Sequence, residues 1–553
     1  TVPVKAGRCN LDYYDEQYKR FNWKDAEKYF SWSKTGKINI AYEAIDRHAE
    51  GQRKQKVALF YRDHERIEKY TFQEMKEWSN RAGNVFKEYG VKKGDVVFFF
   101  MPRRPELYIA ILGAVKIGAI VGTLFDSFMK DAISLRVHDS GTKHLVTTPE
   151  LLERIPKRNL DHIQNIYLIG HHIEESEKFI DFTSRLKKAD KNLLITWVNR
   201  EDGFLLQYTS GATGLPKGVL HVHDAMIHHY VTAKWVLDLK DDDVYWCTAD
   251  PGWITGMVYG IFAPWLTGTS ICLYGGRFSA EDWYQTMEQF GVTVLYTAPT
   301  ALRMLMGAGE AILREYDLTT LRHIFTVGEP LTPDIISWGI NTLGVRIHDT
   351  WWMTETGGII ISNFPSLEIR PGSMGKPIPG IQIAIVDHEG HELPPNQVGH
   401  LAIKPSWPGM MRGIWGKREL YSSYFHPEGY FLTGDAAYID EDGYIWYQGR
   451  IHDEVLTSGE RLGPFEIERK LMEHPAVKEA GIIGKPDPEK GEIVKAFLVL
   501  NQGFYESPSL QEELNHFIQE ELSREITIDE IEYIEELPKT KSGKLIRRAL
   551  KKL

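Results

Sequence analysis

The sequence is poor in cysteine and in excess positive charge, and each shortage excludes a class of protein. Three cysteines among 553 residues, Cys9, Cys247 and Cys272, are too few and too widely spaced for a disulfide framework or a paired zinc site. The 65 lysines and arginines stand against 76 aspartates and glutamates, a net charge of −11 that argues against nucleic-acid binding. We therefore expect a cytoplasmic protein with no nucleic-acid partner.

The sequence also lacks a long unbroken apolar run. The uncharged stretch from Pro251 to Gly276 is long enough to cross a membrane, but Pro264 and six glycines divide it. A buried turn–helix–strand segment is the better interpretation. The first thirty residues contain no apolar run of the signal-peptide type. We expect no membrane partner.

Short apolar runs alternate with helical patterns over more than the first 300 residues. Such alternation is typical of α/β layers, and strands apolar at consecutive positions are typical of sheets covered on both faces. Thr71-x-x-Glu74 matches a capping box and predicts a helix start. The predicted strands are Lys56–Asp63, Asp95–Met101, Asn165–Gly170, Phe204–Tyr208, Gly291–Thr297 and His323–Gly328.

The sequence pattern changes between Gly372 and Tyr447, where prolines and glycines separate short predicted strands. This pattern predicts a small antiparallel or barrel-like subdomain. A compact α+β unit is predicted after Arg450, with one helix opening at Ser509-x-x-Glu512. We therefore expect a large domain over residues 1–450, made of layered β/α subdomains and the small barrel-like one, and a small α+β domain over residues 451–553.

The strongest chemical signal is the stretch TSGATGLPKGV, Thr209–Val219, directly after a predicted strand. Its glycines let the backbone turn tightly and present N–H groups to one anion, while hydroxyls and a lysine add donors and positive charge. The spacing is not that of a Walker A loop. The candidate polyphosphate-binding residues are Thr209, Ser210, Gly211, Thr213, Gly214 and Lys217. A flexible surface turn is the alternative interpretation.

Four further motifs follow in a fixed order: DTWWMTETGG (Asp349–Gly358), YFLTGD (Tyr430–Asp435), GRIHDEVLTSGERLGPFEIE (Gly449–Glu468) and PKTKSGKLIRR (Pro538–Arg548). Together with the phosphate loop they resemble the adenylate-forming superfamily of acyl-CoA synthetases, luciferases and peptide-synthetase adenylation domains, over essentially the whole chain. The segments ADPGWITG, YTAPTALR and VGEPL and the pair Trp351–Trp352 resemble the branch of AMP-forming acetyl-CoA synthetases.

The resemblance implies a two-step ligation. Acetate and ATP, with Mg²⁺, would give acetyl-AMP and pyrophosphate, and the thiol of coenzyme A would then release acetyl-CoA and AMP. Attack of a carboxylate on a phosphate joins two anions, so positive charge and positioning must lower the barrier. The resemblance implies that the C-terminal domain is mobile and carries the catalytic Lys544. Glu355 would hold the Mg²⁺, and Thr209 and Lys217 complete the implied catalytic set.

For the nucleotide, the resemblance implies that Asp435 accepts hydrogen bonds from the ribose hydroxyls and that Trp351 stacks on the adenine. Arg450 would reach the ribose or a phosphate. With the phosphate loop, the full implied ATP and AMP set adds Gly328, Glu329, Pro330, Asp349, Thr350, Trp351, Trp352, Met353, Thr354, Asp435, Arg450 and Arg461.

The acyl pocket implied by the resemblance has an indole, Trp352, that limits substrate size, with Ile254, Thr255 and Val327 as its other walls. Coenzyme A would contact Ser458, Gly459, Glu460 and Arg461. The hinge between the domains falls on His452, where the superfamily usually has Asp or Lys. An imidazole there can titrate near neutral pH.

Two alternatives stay open at this point. One is a ligase for propionate or another short acid, because a pocket discriminates one methylene by only ~1–3 kcal/mol. The other is a nucleotide-binding homologue without catalysis, which Ala212, in place of the usual Ser, and His452 favour slightly. A lysine acetyltransferase and deacetylase acting on Lys544 are candidate protein partners, since acetylation would remove its charge.

Overall fold

The computed structural model describes residues 1–5, 7–31, 36–211, 214–451, 455–458, 460–539 and 545–553. Thr213, His452, Gly459 and Lys544 fall outside these ranges, and of Ser210, Glu460 and Arg461 only the backbone is described.

Two mostly parallel sheets lie between residues 57 and 414, and all six predicted strands belong to them. In the part of the chain that the structure describes, the first sheet has nine strands, in the spatial order Lys376–Pro377, Ile361–Ser362, Ile347–Trp351, His323–Thr326, Val294–Thr297, Val244–Cys247, Ser270–Tyr274, Val57–Arg62 and Ile67–Thr71. Counted over the same described residues, the second sheet has eight, in the order Gly413–Ile414, Gly214–Val222, Gly203–Gly211, Ile120–Leu124, Val96–Phe100, His144–Thr147, Asn165–Leu168 and Phe179–Asp181.

Helices cover these sheets, as their continuously apolar strands require. Val96–Phe100 and Ile120–Leu124 are buried at every position. The predicted capping box is present: the Thr71 side chain accepts from the Glu74 N–H at 3.1 Å, and Glu74 accepts in return from the Thr71 N–H at 3.0 Å. The helix that it opens packs closely on its neighbour, where a Cβ on Gly113 would meet Ala82 at 2.6 Å.

The helices follow the alternation predicted from the sequence. The α-helices are Tyr14–Arg20, Arg47–Ala49, Phe72–Glu88, Pro105–Lys116, Lys130–Ser140, Pro149–Leu152, Lys157–Leu160, Phe182–Lys188, Met226–Trp235, Ile254–Met257, Ala263–Leu266, Ala280–Phe290, Pro299–Ala308, Glu310–Leu313, Pro333–Trp338, Arg418–Ser422, Pro464–Leu471, Pro508–Glu521 and Arg547–Leu550. Trp23–Tyr29 and His223–Ala225 are 3₁₀-helices, and Tyr42–Asp46, Val258–Phe262 and Gly339–Leu343 are π-helical.

The stretch from Pro251 to Gly276 has the turn, helices and strand that its sequence predicts, and it is buried almost throughout. Within the described ranges, no helix combines the length and the apolar character needed to cross a membrane.

The predicted antiparallel subdomain is present as a small sheet. Over the residues that the structure describes, it has four strands in the order Ile383–Val386, Gly399–Ile403, Phe431–Ile439 and Ile445–Arg450, all antiparallel. The neighbouring short strand Lys376–Pro377 pairs instead with Ile361–Ser362, in the nine-stranded sheet. This short strand therefore links the subdomain to the nine-stranded sheet.

The C-terminal part is a separate α+β unit with its own hydrophobic core. Its described strands run in the order Glu460–Leu462, Val455–Thr457, Gly491–Leu500 and Val477–Asp487, and Glu530–Tyr533 pairs with Gly491–Leu500. The helix predicted to open at Ser509 begins earlier, at Pro508, and its cap is Ser507, whose side chain accepts from the Leu510 N–H at 3.1 Å. Proline fits the first turn of a helix, which explains the earlier start.

Candidate active site

A cavity of about 160 Å³ lies at the carboxyl ends of adjacent parallel strands. In parallel sheets these ends meet at one edge, so loops distant in sequence converge there. Val294–Thr297, His323–Thr326 and Ile347–Trp351 are neighbours in the sheet. The predicted site residues that line the cavity are Thr209, Ile254, Thr255, Val327, Gly328, Glu329, Pro330, Asp349, Thr350, Trp351, Trp352, Met353, Thr354, Asp435 and Arg450.

The predicted phosphate loop is mostly a hairpin. The strand predicted to end at Tyr208 continues to Gly211, and the next begins at Gly214. Thr209 lies opposite Lys217 in this pairing, which brings the hydroxyl-bearing and the cationic residue to the same level of the ladder.

The Lys217 ammonium group lies beside the carboxylate of Glu355, although 138 positions separate them in the chain. Lys217 Nζ is 3.5 Å from Glu355 Oε1, and both groups contact the hydroxyl of Tyr424, which donates to Glu355 Oε1 at 3.2 Å. Glu355 is 3% exposed, and its Oε2 has no hydrogen-bond partner among the described residues. A buried carboxylate oxygen of this kind suits a hard cation such as Mg²⁺.

A second carboxylate, Asp435, faces the cavity from the antiparallel subdomain. It is 2% exposed and accepts a hydrogen bond from the indole N–H of Trp351 at 3.0 Å. Arg450 lies opposite Asp435 on the next strand, with Nε 4.0 Å from Asp435 Oδ1. The three side chains form one wall of the cavity.

The end of the cavity that is predicted to hold the acyl group is lined by uncharged side chains. Ile254, Thr255, Val327 and Trp352 are each between 2% and 7% exposed. The Trp352 indole donates to the hydroxyl of Tyr296 at 3.1 Å. Asp349 lies nearby, and burial raises the pKa of its carboxyl well above the usual range.

Three buried histidines hold the loop that carries Glu355. Their Nε2 atoms bond to backbone carbonyls: His221 to Thr354 at 2.7 Å, His229 to Gly357 at 2.9 Å and His228 to Ile359 at 2.8 Å. Burial lowers the pKa of all three, for His221 and His228 to about 4. A neutral imidazole with a carbonyl partner is a structural tether.

Residues of the C-terminal unit close the mouth of the cavity. Leu456, Leu462, Gly463, Ile467, Leu522, Ser523 and Ile526 line it from that side. Phe128 pairs with Ser523 as an isolated β-bridge, and the Met129 N–H donates to the Leu522 carbonyl at 3.1 Å. The predicted CoA loop is the hairpin Val455–Thr457 and Glu460–Leu462, with Ser458 exposed in its turn at φ 49°.

The described residues on either side of Lys544 lie away from the cavity. Lys539 pairs with Leu545 as an isolated bridge, and Leu545 packs with Ile483, Phe497 and Leu537 in a small cluster. None of these described residues lines the cavity.

Sequence reasoning missed two tyrosines of the site. Tyr424 lies in a run, LYSSYF, that has no motif character, and it reaches Lys217 across 207 positions. Tyr296 lies within the YTAPTALR segment, so the resemblance could have pointed to it, but its contact with Trp352 depends on the packing of two strands.

The comparisons agree with this geometry. The family model described as AMP-binding enzyme matches residues 45–415, and the model described as AMP-binding enzyme C-terminal domain matches residues 466–544. The chain is 59% identical over 551 residues to the acetyl-coenzyme A synthetase of Bacillus subtilis (strain 168), covering 100% of this chain and 96% of the relative.

More distant relatives point the same way. The acetyl-coenzyme A synthetase of Pyrobaculum arsenaticum is 39% identical, over 95% of this chain and 84% of the relative. The crystal structure of the Brucella canis acyl-CoA synthetase superposes with a TM-score of 0.75 at 35% identity, over 98% of this chain and 99% of that one. The chain therefore belongs to the family of AMP-binding enzymes, alongside relatives that are acetyl-coenzyme A synthetases.

Proposed function

We propose that the protein is an AMP-forming acetate–CoA ligase. Acetate attacks the α-phosphate of ATP and gives acetyl-AMP and pyrophosphate, and the thiol of coenzyme A then attacks the acetyl carbon and releases AMP. The observation that carries the proposal is the cavity with an uncharged end lined by Trp352 and with the buried carboxylate of Asp435 on another wall, and Glu355 is buried directly after Thr354, which also lines it. The names of the relatives support acetate as the acid.

Substrate size follows from the walls of the acyl pocket. The indole of Trp352 lines the cavity together with Ile254, Thr255 and Val327, and we propose that it leaves room for a methyl group. One extra methylene costs ~1–3 kcal/mol in a pocket of fixed size. Propionate is therefore a poorer substrate than acetate, and longer acids are excluded.

Charge at the other end of the cavity serves the nucleotide. Glu355 Oε2 is a ligand for the Mg²⁺ that enters with ATP, and this role is supported by its burial and by the lack of a partner among the described residues. Lys217 and the backbone and hydroxyls of Thr209, Ser210, Gly211, Thr213 and Gly214 bind the β- and γ-phosphates. Tyr424 holds Lys217 and Glu355 together before the substrate arrives.

The nucleoside lies against the wall of the antiparallel subdomain. Asp435 accepts hydrogen bonds from the ribose hydroxyls with the oxygen that Trp351 leaves open, and Arg450 reaches the ribose or α-phosphate. Trp351 stacks on the adenine, a contact worth ~1–3 kcal/mol. The remaining contacts come from Gly328, Glu329, Pro330, Asp349, Thr350, Trp352, Met353, Thr354 and Arg461.

The second half-reaction uses the arrangement of the two units seen here. The domain boundary lies at residues 450 and 451, with the hinge at His452. Coenzyme A enters beside Ser458, Gly459, Glu460 and Arg461, which is supported by the position of that hairpin at the cavity mouth. Lys544 serves adenylation only after the small domain turns, because the described residues beside it lie away from the cavity.

Two further expectations complete the proposal. The protein works in the cytoplasm, which is supported by its three cysteines being free thiols. A lysine acetyltransferase and a deacetylase regulate it through Lys544, since acetylation removes the charge that adenylation needs.

Pyrophosphate exchange into ATP, without coenzyme A, tests adenylation alone. We expect exchange with acetate, weaker exchange with propionate, and almost none with butyrate or benzoate. Adding coenzyme A should then give acetyl-CoA and AMP in equal amounts. Exchange that is strongest with a longer acid would contradict the acyl-pocket argument, and no exchange with any acid would contradict the proposed reaction.

A further inference from the structure

Trp352 is held in place by Tyr296, a residue to which the sequence motifs give no role. Tyr296 is completely buried on the strand Val294–Thr297, next but one in the sheet to the strand that ends at Trp351. Its hydroxyl is 3.1 Å from the indole nitrogen of Trp352 and 2.6 Å from Thr350 Oγ1. No other hydrogen bond links the ring of Trp352 to the described residues.

The direction of each bond in this chain follows from the donors present. The Thr350 hydroxyl donates to the Thr326 carbonyl at 2.7 Å, and a carbonyl can only accept. The hydroxyl hydrogen of Thr350 is therefore already used in that bond, so Tyr296 must donate to Thr350. The indole N–H is a donor only, so the Tyr296 oxygen accepts from Trp352. The result is one continuous series of hydrogen bonds from Trp352 through Tyr296 and Thr350 to the backbone of the sheet.

A second tyrosine fixes the ring of Trp352 from the side. Tyr259 meets it edge to face, with centroids 5.0 Å apart and planes at 82°, and it meets Tyr296 at 5.7 Å and 80°. Tyr259 is itself fixed, because its hydroxyl accepts from the Ile359 N–H at 2.8 Å and bonds to Thr232 at 2.8 Å. The indole can therefore tilt only if its bond to Tyr296 is lost.

The chain-length limit of the pocket depends on this bond. With Tyr296 in place, tilting the indole to admit a longer acid would leave a buried indole N–H without a partner, while the Tyr296 hydroxyl keeps only its bond to Thr350. Leaving such groups unsatisfied is costly. Without the Tyr296 hydroxyl, the N–H has no partner in either position, so tilting carries no added penalty.

We propose that Tyr296 is a positioning residue that sets the acyl-chain limit by holding Trp352 against the pocket. The proposal rests on the proposed acetate–CoA ligase activity. It predicts that selectivity among acids depends on a hydroxyl group that never touches the acid.

The test is Tyr296→Phe, assayed by acid-dependent pyrophosphate exchange with acetate and propionate. We expect the ratio of kcat/KM for propionate to that for acetate to rise about three- to tenfold, the range set by one buried hydrogen bond. The change should appear mainly in the KM for the acids, with the KM for ATP within twofold of wild type. Tyr284→Phe is the matched control, because Tyr284 is 1% exposed and its hydroxyl has no partner among the described residues.

The outcomes separate the two proposals. Wild-type protein without acetate-dependent exchange would overturn the proposed function, and this inference with it. Active wild-type protein, with a Tyr296→Phe ratio unchanged within twofold, would overturn this inference alone. Equal losses for both acids would also overturn it, because they would mean a general loss of structure. If Tyr296→Phe does not fold, Thr350→Val breaks the same chain one bond further on and should raise the ratio by a smaller factor.

Discussion

The acyl end of the cavity and the mouth of the cavity are held in place by different chemistry. At the acyl end, the hydrogen bonds join neutral groups of the large domain: the Trp352 indole, the hydroxyls of Tyr296 and Tyr259, and the Ile359 backbone. At the mouth, charged groups bridge the two units. Lys470 of the small domain is 3% exposed and pairs with Asp131 of the large one, and Lys130 pairs with Glu521 at 3.1 Å.

Under the proposed function, this difference separates selection of the acid from transfer to coenzyme A. The hydrogen bonds at the acyl end lie within the large domain, so turning of the small domain need not break them. Ion pairs exchange readily for hydration, so the mouth can open at modest cost. Specificity should therefore respond to changes at the acyl end, and the thioester step to changes at the mouth.

Removing the indole should change the specificity for acids more than any other variant described below. Trp352→Gly opens the pocket, so the penalty of ~1–3 kcal/mol for each of the two extra methylenes of butyrate disappears. We expect the ratio of kcat/KM for butyrate to that for acetate to rise about a hundredfold or more, measured by pyrophosphate exchange. A thermal unfolding curve checks that the variant is folded. Continued exclusion of butyrate by a folded variant would mean that another residue closes the pocket.

The sequence predicted several residues that line the cavity, and their role as an acyl pocket stays a prediction. Val327 follows a strand that the apolar runs predicted. Ile254, Thr255 and Trp352 follow Val244–Cys247 and Ile347–Trp351, which were not among the predicted strands, and parallel pairing brings the carboxyl ends of these strands together. The mouth could not be predicted, because Lys470 and Asp131 carry no motif and meet only when two units dock.

Other failures were local in origin. Glycine and hydroxyl residues after Tyr208 indicated a loop, but cross-strand pairing of Thr209 with Lys217 carries the strand on to Gly211. The helix cap was placed at Ser509 because Glu512 completes a capping-box pattern there, whereas Pro508 already fits the first turn. In both cases a tertiary or backbone constraint outweighed the local pattern.

Breaking the ion pair at the mouth should affect only the second half-reaction. Asp131→Asn leaves Lys470 with Glu473 at 2.6 Å, in the turn after its own helix, and removes its carboxylate partner across the interface. A buried ammonium group that loses one of its carboxylate partners is less well compensated, and the small domain can expose it to water by turning away. We expect transfer from acetyl-AMP to coenzyme A to slow about tenfold, while acetate-dependent pyrophosphate exchange stays within twofold of wild type.

The matched control for Asp131→Asn is Glu530→Gln. Glu530 pairs with Lys485 at 2.7 Å within the small domain, and both side chains are well exposed. This variant also replaces a paired carboxylate by an amide, and it should change neither half-reaction. Equal slowing of both half-reactions by Asp131→Asn would contradict the separation of mouth and acyl end.

Low pH should destabilise the large domain through its buried histidines. The folded pKa of His228 is lowered to about 4 by burial, below the ordinary value of 6.5, so the unfolded chain binds its proton first. Its contribution to stability is present above pH 6.5 and is lost as the pH falls toward 4. Between pH 7 and pH 5.5 the loss is about 1 kcal/mol for this one group.

The variant His228→Gln keeps a donor for the Ile359 carbonyl and removes the titrating group. The fall in its urea midpoint between pH 7 and pH 5.5 should therefore be smaller than in wild type. His138→Gln serves as the control, because that side chain is exposed. Identical pH dependence in wild type and His228→Gln would mean that His228 is not neutral in the folded protein.

The smallest change should come from trimming one methylene from the pocket wall. Ile254→Val enlarges the acyl end without touching Trp352 or its bond to Tyr296. One buried methylene is worth about 0.8 kcal/mol, which corresponds to a factor of about four. The ratio of kcat/KM for propionate to that for acetate should therefore rise about fourfold, with coenzyme A transfer unchanged. The double variant Ile254→Val with Tyr296→Phe tests whether Tyr296 fixes the indole independently of this wall. If it does, the rise in the propionate-to-acetate ratio should equal the product of the rises in the two single variants. A rise well below that product would mean that the wall and the indole move together.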